Sequence, residues 1–196
     1  MNNLDIIRDR LPKPKSGEKK IVAVDGLSRS GKTTLTIKMQ KLLQEKSIPV
    51  HVFHIDDYIT NRNKRYNTGY EAWYEYYQLQ WEVTWLKENF FNKLKTSNEF
   101  YLPKYNPKTE GHIAQTVTLP KTAVIIIEGV FLQREEWQDV YDYIIFMDAD
   151  RESRFNRESK KVKQHMDKFR NRYWMAEDYY LNKQHPKEHA DLIIHN

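Results

Sequence analysis

Apolar residues along this chain fall into five short continuous runs, separated by longer segments in which apolar positions recur at helical spacing. Runs of this length that are rich in valine and isoleucine predict strands buried on both faces of a sheet. They occupy residues 21–25, 50–55, 123–127, 143–147 and 191–194. Because helical segments lie between the runs, the pattern predicts an α/β fold with a doubly wound parallel sheet of about five strands.

The segment 70–94 has two apolar stripes at helical spacing and predicts one helix that is enclosed on both sides. One stripe contains Tyr76, Leu79, Val83, Leu86 and Phe90, and the other contains Tyr70, Trp73, Tyr74, Tyr77, Trp81 and Trp85. The second stripe is open to three interpretations: packing under a loop, lining a substrate pocket, or contact with another subunit. Packing is favoured, because aromatic stripes are usually core. After this helix, residues 100–103 and 115–119 predict a hairpin excursion.

Length and composition narrow the class of protein. The 196 residues predict a single domain over 1–196, in which 1–20 form a peripheral segment with a short helix and a linker. The 32 Lys and Arg against 27 Asp and Glu give a net charge of +5, which suits an anionic ligand. A nucleic-acid partner is disfavoured, because no nucleic-acid motif accompanies this charge.

The absence of cysteine excludes disulfides and thiolate chemistry. No apolar run approaches the roughly 20 residues that span a bilayer, so we expect a cytoplasmic protein without a membrane partner.

A phosphate-binding loop follows the first predicted strand. The pattern G-x-x-x-x-G-K-[ST] is matched by Gly26, Leu27, Ser28, Arg29, Ser30, Gly31, Lys32 and Thr33, and Thr34 continues into a helical segment. A strand, a glycine-rich turn and a helix N-terminus together direct backbone N–H groups at one point. In this pattern the lysine reaches the β- and γ-phosphates and the threonine hydroxyl binds Mg²⁺. The loop therefore predicts binding of a nucleoside triphosphate.

Two carboxylates lie at predicted strand ends on the same edge as this loop. Asp56 leads into a loop that could hold a substrate, so it is the better candidate for accepting a hydroxyl proton. Glu128 closes the most apolar run of the chain and is the better Mg²⁺ ligand, through water. The competing interpretation of each is a helix cap or a turn residue, which their position beside the loop disfavours.

Residues 151–172 form a basic segment of helical pattern, which we interpret as a lid. Arg151, Arg154 and Arg157 recur every three residues, directly after the fourth predicted strand. Arginines at this edge can close over a triphosphate. The alternative is a solvated basic helix face.

Together these segments resemble the uridine kinase / phosphoribulokinase-like family of P-loop kinases. The resemblance rests on residues 24–34, 55–58, 127–130 and 148–150, with Arg154 and Arg157, and on the tail at 172–180 and 190–194. It implies a P-loop NTPase-type three-layer sandwich with a helical lid, and ATP-dependent phosphorylation of a hydroxyl on a nucleoside or other small metabolite.

The resemblance also implies roles for individual residues. It makes Asp56 the catalytic base, surrounds Mg²⁺ with Thr33, Asp56 and Glu128, and brings Arg154 and Arg157 to the phosphates beside Lys32.

The acceptor-binding part, predicted at 70–120, departs from the family pattern. Residues 102–112 keep Pro103 and Tyr105 of a Pro-x-Tyr-Asp segment, but Asn106, Glu110 and His112 replace its Asp, His and Arg. The Asp-rich segment that holds ribose is replaced by 69–75, so Glu71 or Glu75 would have to bind the sugar hydroxyls. The predicted acceptor-binding residues are Asp56, Tyr58, Glu71, Glu75, Tyr105 and His112.

A nucleoside such as uridine or cytidine is the leading acceptor. Pantothenate, a sugar or a glycerate-like acid is the alternative, and a homo-oligomer remains open. A regulatory nucleotide switch is disfavoured, because Asp-x-x-Gly and Asn-Lys-x-Asp are both absent from the sequence.

Overall fold

The computed structural model describes residues 3–196, so the first two residues of the predicted peripheral segment lie outside the described residues. The strands follow one another as β1 Lys19–Gly26, β2 Val50–His54, β3 Glu99–Tyr101, β4 Lys104–Asn106, β5 Gly111–Ile113, β6 Thr116–Thr118, β7 Ala123–Glu128, β8 Tyr143–Asp148 and β9 Leu192–His195. The helices are α1 Asn3–Arg10, α2 Lys32–Glu45, α3 Arg62–Arg65, α4 Ala72–Gln78, α5 Val83–Leu86, α6 Asn92–Thr96, α7 Arg151–Asn156, α8 Lys160–Lys163, α9 Met166–Lys168, α10 Met175–Gln184 and α11 Pro186–His189. Two π-helical turns occupy Lys87–Phe91 and Phe169–Trp174, and two 3₁₀ turns occupy Ile55–Tyr58 and Gln138–Val140.

Five parallel strands form the central sheet in the order β2-β7-β1-β8-β9, which confirms the predicted sheet. Strands β7 and β8 lie on opposite sides of β1 although they follow each other among the sheet strands. A crevice therefore opens at the carboxyl end of β1, where ligands bind in sheets of this kind.

Alternate residues of each central strand enter two separate cores. Ile21 and Ala23 of β1 belong to one core, and Val22 and Val24 belong to the other. The second core also contains Ile7 of α1, which packs with side chains of α2. Because helices cover both faces of the sheet, the fold is the predicted three-layer sandwich.

The single helix predicted over residues 70–94 is wrong, because the chain breaks at residues 79–82, between α4 and α5. Thr60 stabilises this break in the helix by two hydrogen bonds. Its N–H donates to the Gln80 carbonyl at 2.9 Å and its hydroxyl donates to the Leu79 carbonyl at 2.8 Å. The Trp81 indole donates to the Ile55 carbonyl at 2.9 Å. Tertiary hydrogen bonds thus replace those that would continue the helix.

The side chains of the two apolar stripes consequently differ in their burial. Tyr76, Tyr77 and Trp81 are buried in the first core, whereas Tyr70 and Trp85 are exposed. The hairpin excursion is confirmed: β3 pairs with β6 and β4 pairs with β5, both antiparallel. Within residues 3–196, no helix has the length and apolar character needed to cross a membrane.

Candidate active site

The carboxyl ends of β1, β2 and β7 meet at one edge of the sheet. In the strand register His54 lies beside Glu128, and Glu128 lies beside Val24, two residues before the loop begins. The turn after β2 therefore brings Asp56 to the loop's edge. The structure brings together the predicted loop, the predicted base and the predicted metal ligand.

The loop approaches its neighbours too closely for larger residues. A Cβ on Gly26 would lie 2.6 Å from the Met147 carbonyl oxygen, which is a backbone atom of β8. Gly31 has a φ of 98° and directly precedes α2, a left-handed conformation that favours glycine. The close contact and the left-handed backbone explain why glycine stands at these two positions of the loop.

Four consecutive loop carbonyls are each bound by a side chain. The acceptor oxygens of Leu27, Ser28, Arg29 and Ser30 receive hydrogen bonds of 2.8, 3.0, 2.9 and 2.8 Å from Lys32 Nζ, Arg154 Nη1, Arg157 Nη1 and Asn196 Nδ2, respectively. In a peptide unit the C=O and the following N–H point in opposite directions. Tethering the carbonyls therefore orients the loop, while the first N–H groups of α2 remain available to an anion.

Lys32 is almost completely buried, at 6% exposure. Burial lowers the pKa of its ammonium, while the negative charges of Glu128, Asp25 and Asp56 act in the opposite direction. A bound triphosphate would add further negative charge beside this ammonium. The geometry suits a lysine that neutralises transferring phosphates.

Thr33, Glu128 and His54 form a hydrogen-bonded group beneath the loop. The Thr33 hydroxyl donates to Glu128 Oε2 at 3.1 Å, and His54 Nδ1 lies 2.7 Å from the same oxygen. Burial raises the pKa of Glu128, but the His54 hydrogen bond and the Lys32 charge outweigh it, so the net pKa is lowered. The hydrogen bond to Glu128 raises the pKa of His54.

The oxygen donors of Thr33, Glu128 and Asp56 fit a hard cation such as Mg²⁺, which also takes water and phosphate oxygens. In the part of the chain that the structure describes, no group of three or more His, Cys, Asp or Glu could hold a metal by itself.

Asp56 lines a cavity of about 430 Å³ beside the loop. The Asp56 side chain is exposed, but the protein atoms around its carboxyl partly desolvate it, which raises its pKa against the opposing charge of Lys32. The neighbouring Asp57 is paired with Lys104 at 2.7 Å, whereas Asp56 has no ion-pair partner within residues 3–196. Asp56 is therefore the carboxylate of this pair that is free to take a proton from a ligand.

Gly129 allows the end of β7 to contact the turn that carries Asp56. A Cβ at Gly129 would lie only 2.2 Å from Cγ2 of Ile55. This contact sets the position of Asp56 relative to Glu128.

The cavity has a polar end at the loop and a mainly aromatic wall. The loop end contains Ser28 and Arg29, with Arg154 and Glu177 beside them. The wall contains Tyr66, Tyr76, Phe155, Phe169, Tyr173 and Trp174, together with Gln80. A flat or ring-shaped molecule of small-metabolite size would find apolar contact here and a reactive carboxylate at one end.

The other predicted acceptor residues do not line this cavity. Tyr58 and His112 line a neighbouring cavity of about 420 Å³, and Ile59 lies between the two. The buried Tyr105 hydroxyl accepts a hydrogen bond from Arg65 at 3.3 Å.

The carboxylates of Glu71 and Glu75 are both bound by other side chains of the protein. Glu75 is buried and pairs with Arg172 at 2.9 Å, and its other oxygen accepts from the Thr68 N–H and hydroxyl. Glu71 accepts from the Trp73 indole at 2.6 Å. The structure thus separates both carboxylates from Asp56.

Arg154 and Arg157 lie at the loop but are bound to its carbonyls, as described above. Arg154 is also paired with Glu177 at 2.9 Å, and Glu177 accepts from the Ser28 N–H at 3.1 Å. Helix α7 ends at Asn156, so Arg157 caps it rather than sharing its face.

The residues of this site that sequence reasoning missed include His54, Gln80, Glu177 and Asn196. His54 directly precedes the predicted strand end and was detectable there. Gln80 and Asn196 carry no local signal, because each reaches the site only through the tertiary fold. Glu177 lies in the tail at 172–180 that resembles the family, but no role was assigned to it there.

A phosphate-binding loop at the switch point of a parallel sheet, with carboxylates at the neighbouring strand ends, defines a P-loop kinase. The sequence profile of the Phosphoribulokinase / Uridine kinase family matches residues 21–168. The chain belongs to this family, which confirms the resemblance read from the sequence.

The individual relatives agree with the family. Uridine kinases of Staphylococcus aureus strains JH9 and Newman are each 26% identical over 186 residues, covering 89% of this chain and 86% of theirs. The structure of a possible uridine kinase from Bacillus stearothermophilus is 42% identical, with a TM-score of 0.84 over 97% of this chain and 96% of that one. The protein is therefore a P-loop small-molecule kinase, and its family implies ATP with a divalent metal.

Proposed function

We propose that this kinase transfers the γ-phosphoryl group of ATP to a hydroxyl of a nucleoside of the uridine or cytidine type. The observation that carries the proposal is Asp56, an unpaired carboxylate that opens into an aromatic-walled cavity beside the phosphate loop. The names of the relatives support the same acceptor class.

The proposed step uses residues already at the loop. The oxygen of the acceptor hydroxyl bonds to the γ-phosphorus while Asp56 accepts the hydroxyl proton. The bond between the γ-phosphorus and the oxygen that bridges it to the β-phosphate breaks, and ADP leaves. Lys32 and the loop amides stabilise the charge on the phosphates. Thr33, Glu128 and Asp56 would hold Mg²⁺, which supplies further charge neutralisation when bound.

A third cavity, of about 370 Å³, flanks the loop, and Asp56 is not among the residues that line it. It is lined by Gly31, Thr34 and Lys38 of the loop and α2, by Arg157, and by Asn196. We assign this cavity to the nucleoside part of ATP, because the triphosphate then runs along the loop toward Asp56. Residues 151–172 would act as the lid of the site and residues 70–120 would contribute its acceptor-binding wall.

A non-nucleoside acceptor such as pantothenate, a sugar or a glycerate-like acid is the second candidate. It is favoured by the engagement of Glu75 with Arg172 and Thr68, which withdraws this carboxylate from ribose binding.

A screen for ADP release, with purified protein, ATP and Mg²⁺, tests the proposal. We expect turnover with uridine or cytidine. Turnover with pantothenate, sugars or glycerate alone would select the second candidate. Calorimetry that detected no heat with either ATP or GTP in the presence of Mg²⁺ would contradict the kinase itself.

The base role of Asp56 needs a separate test. Asp56→Asn should retain ATP binding and lose transfer, by about 10²–10⁴-fold in kcat. The neighbouring Asp57→Asn is the matched control and should retain turnover. Unchanged turnover in Asp56→Asn would remove Asp56 from this role.

A further inference from the structure

Asp25 is a buried carboxylate that the proposed transfer step does not use. It directly precedes the first residue of the phosphate loop and is completely shielded from solvent. Its Oδ1 accepts from the Leu132 N–H at 3.3 Å. Its Oδ2 accepts from the Gln133 side-chain amide at 2.9 Å and from the Tyr180 hydroxyl. The carboxylate therefore joins the start of the loop to segments that lie 107 to 155 residues further along the chain.

The residue before this bonded pair has a strained backbone. Phe131 has a φ of 62°, a left-handed conformation that bulky side chains rarely adopt. Such a conformation persists only where the surrounding structure holds it. Here Asp25 binds the next two residues, Leu132 and Gln133, and the Tyr180 hydroxyl accepts from the Gln133 N–H at 3.1 Å. Asp25 and Tyr180 together act as a clamp on this turn.

The clamped turn continues β7, which ends at the predicted metal ligand Glu128. The Gly129 N–H donates to the Val24 carbonyl at 3.2 Å, so the chain after Glu128 is tied to the end of β1 here as well as at Asp25. On the loop side, Glu128 Oε2 accepts from the Thr33 hydroxyl at 3.1 Å. The position of Glu128 relative to the loop therefore depends on the turn that Asp25 holds.

The phosphate loop does not depend on Asp25 for its own shape. Its carbonyls are held by Lys32, Arg154, Arg157 and Asn196. Loss of the Asp25 hydrogen bonds would leave these tethers in place and loosen the turn beside the loop. We therefore expect the loss to change the geometry between loop and turn more than phosphate binding by the loop.

We propose that Asp25 is a positioning residue that sets the separation between the phosphate loop and Glu128. It acts through the turn at 131–133, because its own carboxylate is closed to solvent and does not reach a ligand. This role rests on the proposed function of Glu128 in holding Mg²⁺, and it does not depend on which acceptor the kinase uses.

Asp25→Asn and Tyr180→Phe test the clamp. An asparagine at position 25 turns an N–H donor toward at least one of the donors that now surround the carboxylate. A phenylalanine at position 180 keeps the ring, whose centroid lies 5.1 Å from that of Phe131, and removes the hydroxyl.

The chain offers a matched control for each variant. Asp142 accepts from the Ile21 N–H at 2.7 Å, near the other end of β1, so Asp142→Asn weakens a comparable bond away from the loop. Tyr77→Phe removes a buried hydroxyl from the same aromatic cluster, where it accepts from Gln184 at 3.2 Å.

Amide hydrogen exchange of the nucleotide-free protein measures the turn directly. We expect exchange at Gly129 and Leu132 to be about tenfold faster than wild type in Asp25→Asn and about threefold faster in Tyr180→Phe, because the turn opens more often. Both controls should keep the wild-type rate at these two amides.

Calorimetry with ATP, in the presence and in the absence of Mg²⁺, measures the consequence for the site. Without Mg²⁺, ATP affinity should stay within about twofold of wild type in all four variants, since the loop keeps its tethers. The gain in ATP affinity that Mg²⁺ gives should fall by about tenfold in Asp25→Asn and about threefold in Tyr180→Phe, because Glu128 is no longer held in place. The controls should keep the full gain.

The positioning role requires both changes. If either the exchange rate of the turn or the Mg²⁺ gain stays at its wild-type value in Asp25→Asn, Asp25 is a structural residue only and the role is overturned. A wild-type protein whose ATP affinity does not respond to Mg²⁺ would overturn it as well. Should Asp25→Asn not fold, as circular dichroism would show, Tyr180→Phe decides the question alone.

These measurements are separate from the test of the proposed acceptor. Neither exchange nor calorimetry with ATP involves an acceptor, so absence of turnover with uridine and cytidine would contradict the nucleoside proposal alone. Absence of any ATP binding would contradict the kinase itself.

Discussion

Arg154 and Glu177 form a buried ion pair, 2.9 Å apart, that binds the backbone carbonyl and the backbone N–H of Ser28 in the phosphate loop. Arg154 donates to the Ser28 carbonyl and Glu177 accepts from the Ser28 N–H. The pair joins α7, at the start of the basic segment, to α10, which follows it. The conformation of the phosphate loop therefore depends on helices that lie about 120 to 150 residues further along the chain.

Arg154→Ala should destabilise the protein by about 3–5 kcal/mol, because it leaves the Glu177 carboxylate buried without its counter-charge. Urea unfolding measures the loss, and calorimetry should show weaker ATP binding, since Ser28 loses its anchor. Arg151→Ala is the control: its pair with Asp178 is exposed, so the cost should stay below about 1 kcal/mol. Equal stability of the two variants would contradict a structural role for the buried pair.

Lys32→Ala should lower kcat by about 10²–10³-fold or more, because the ammonium stabilises charge on the transferring phosphates. The fold should persist, as circular dichroism can verify, since the buried ammonium makes its hydrogen bond within the loop itself. Lys41→Ala, on the exposed side of the same helix, should keep full activity. A kcat close to that of the wild type would remove Lys32 from the phosphate site.

Gly129→Ala should cost about 1–3 kcal/mol by overpacking, because the new methyl group would meet Ile55 at 2.2 Å. Ile55 directly precedes Asp56, so kcat should fall more than ATP affinity does. Gly111→Ala provides the comparison, since the nearest atom to its added methyl lies 3.7 Å away. If Gly111→Ala lowered the free energy of unfolding more than Gly129→Ala does, the overpacking argument would be contradicted.

The buried pair of Glu75 and Arg172 should make stability depend on pH. Burial raises the pKa of Glu75, but hydrogen bonds from Thr68 and Arg172 outweigh it, so its folded pKa lies below the unfolded value. A depressed carboxyl pKa stabilises the fold above the unfolded pKa of about 4.3, and this contribution is lost as pH falls through the folded pKa.

Glu75→Gln should therefore cost about 3 kcal/mol at pH 7 and progressively less below about pH 4, as urea unfolding across this range would measure. Glu71→Gln is the matched control and should change stability by no more than about 0.5 kcal/mol at pH 7, because Glu71 is exposed and its carboxylate accepts, within residues 3–196, from the Trp73 indole alone. A constant difference between Glu75→Gln and wild type from pH 3 to pH 7 would refute the argument.

Local patterns predicted most of the architecture. The five apolar runs correspond to β1, β2, β7, β8 and β9 with ends shifted by one or two residues, because a strand buried on both faces leaves a continuous apolar signal. The exception is the segment 70–94, whose helical stripes are real but whose helix is broken by Thr60 and Trp81. Periodicity reports which residues are buried, and it does not report a competing hydrogen bond from a distant residue.

The sequence by itself determined the phosphate loop, the strand-end carboxylates Asp56 and Glu128, and the family. Each of these depends on contiguous residues whose backbone geometry is locally encoded. Only the tertiary structure decided that Arg154 and Arg157 anchor the loop, that Glu75 is engaged by Arg172, and that Gln80 and Glu177 reach the Asp56 cavity. Those roles depend on which side chains meet across the fold, and a side chain's partner 100 residues away leaves no trace in the spacing of its neighbours.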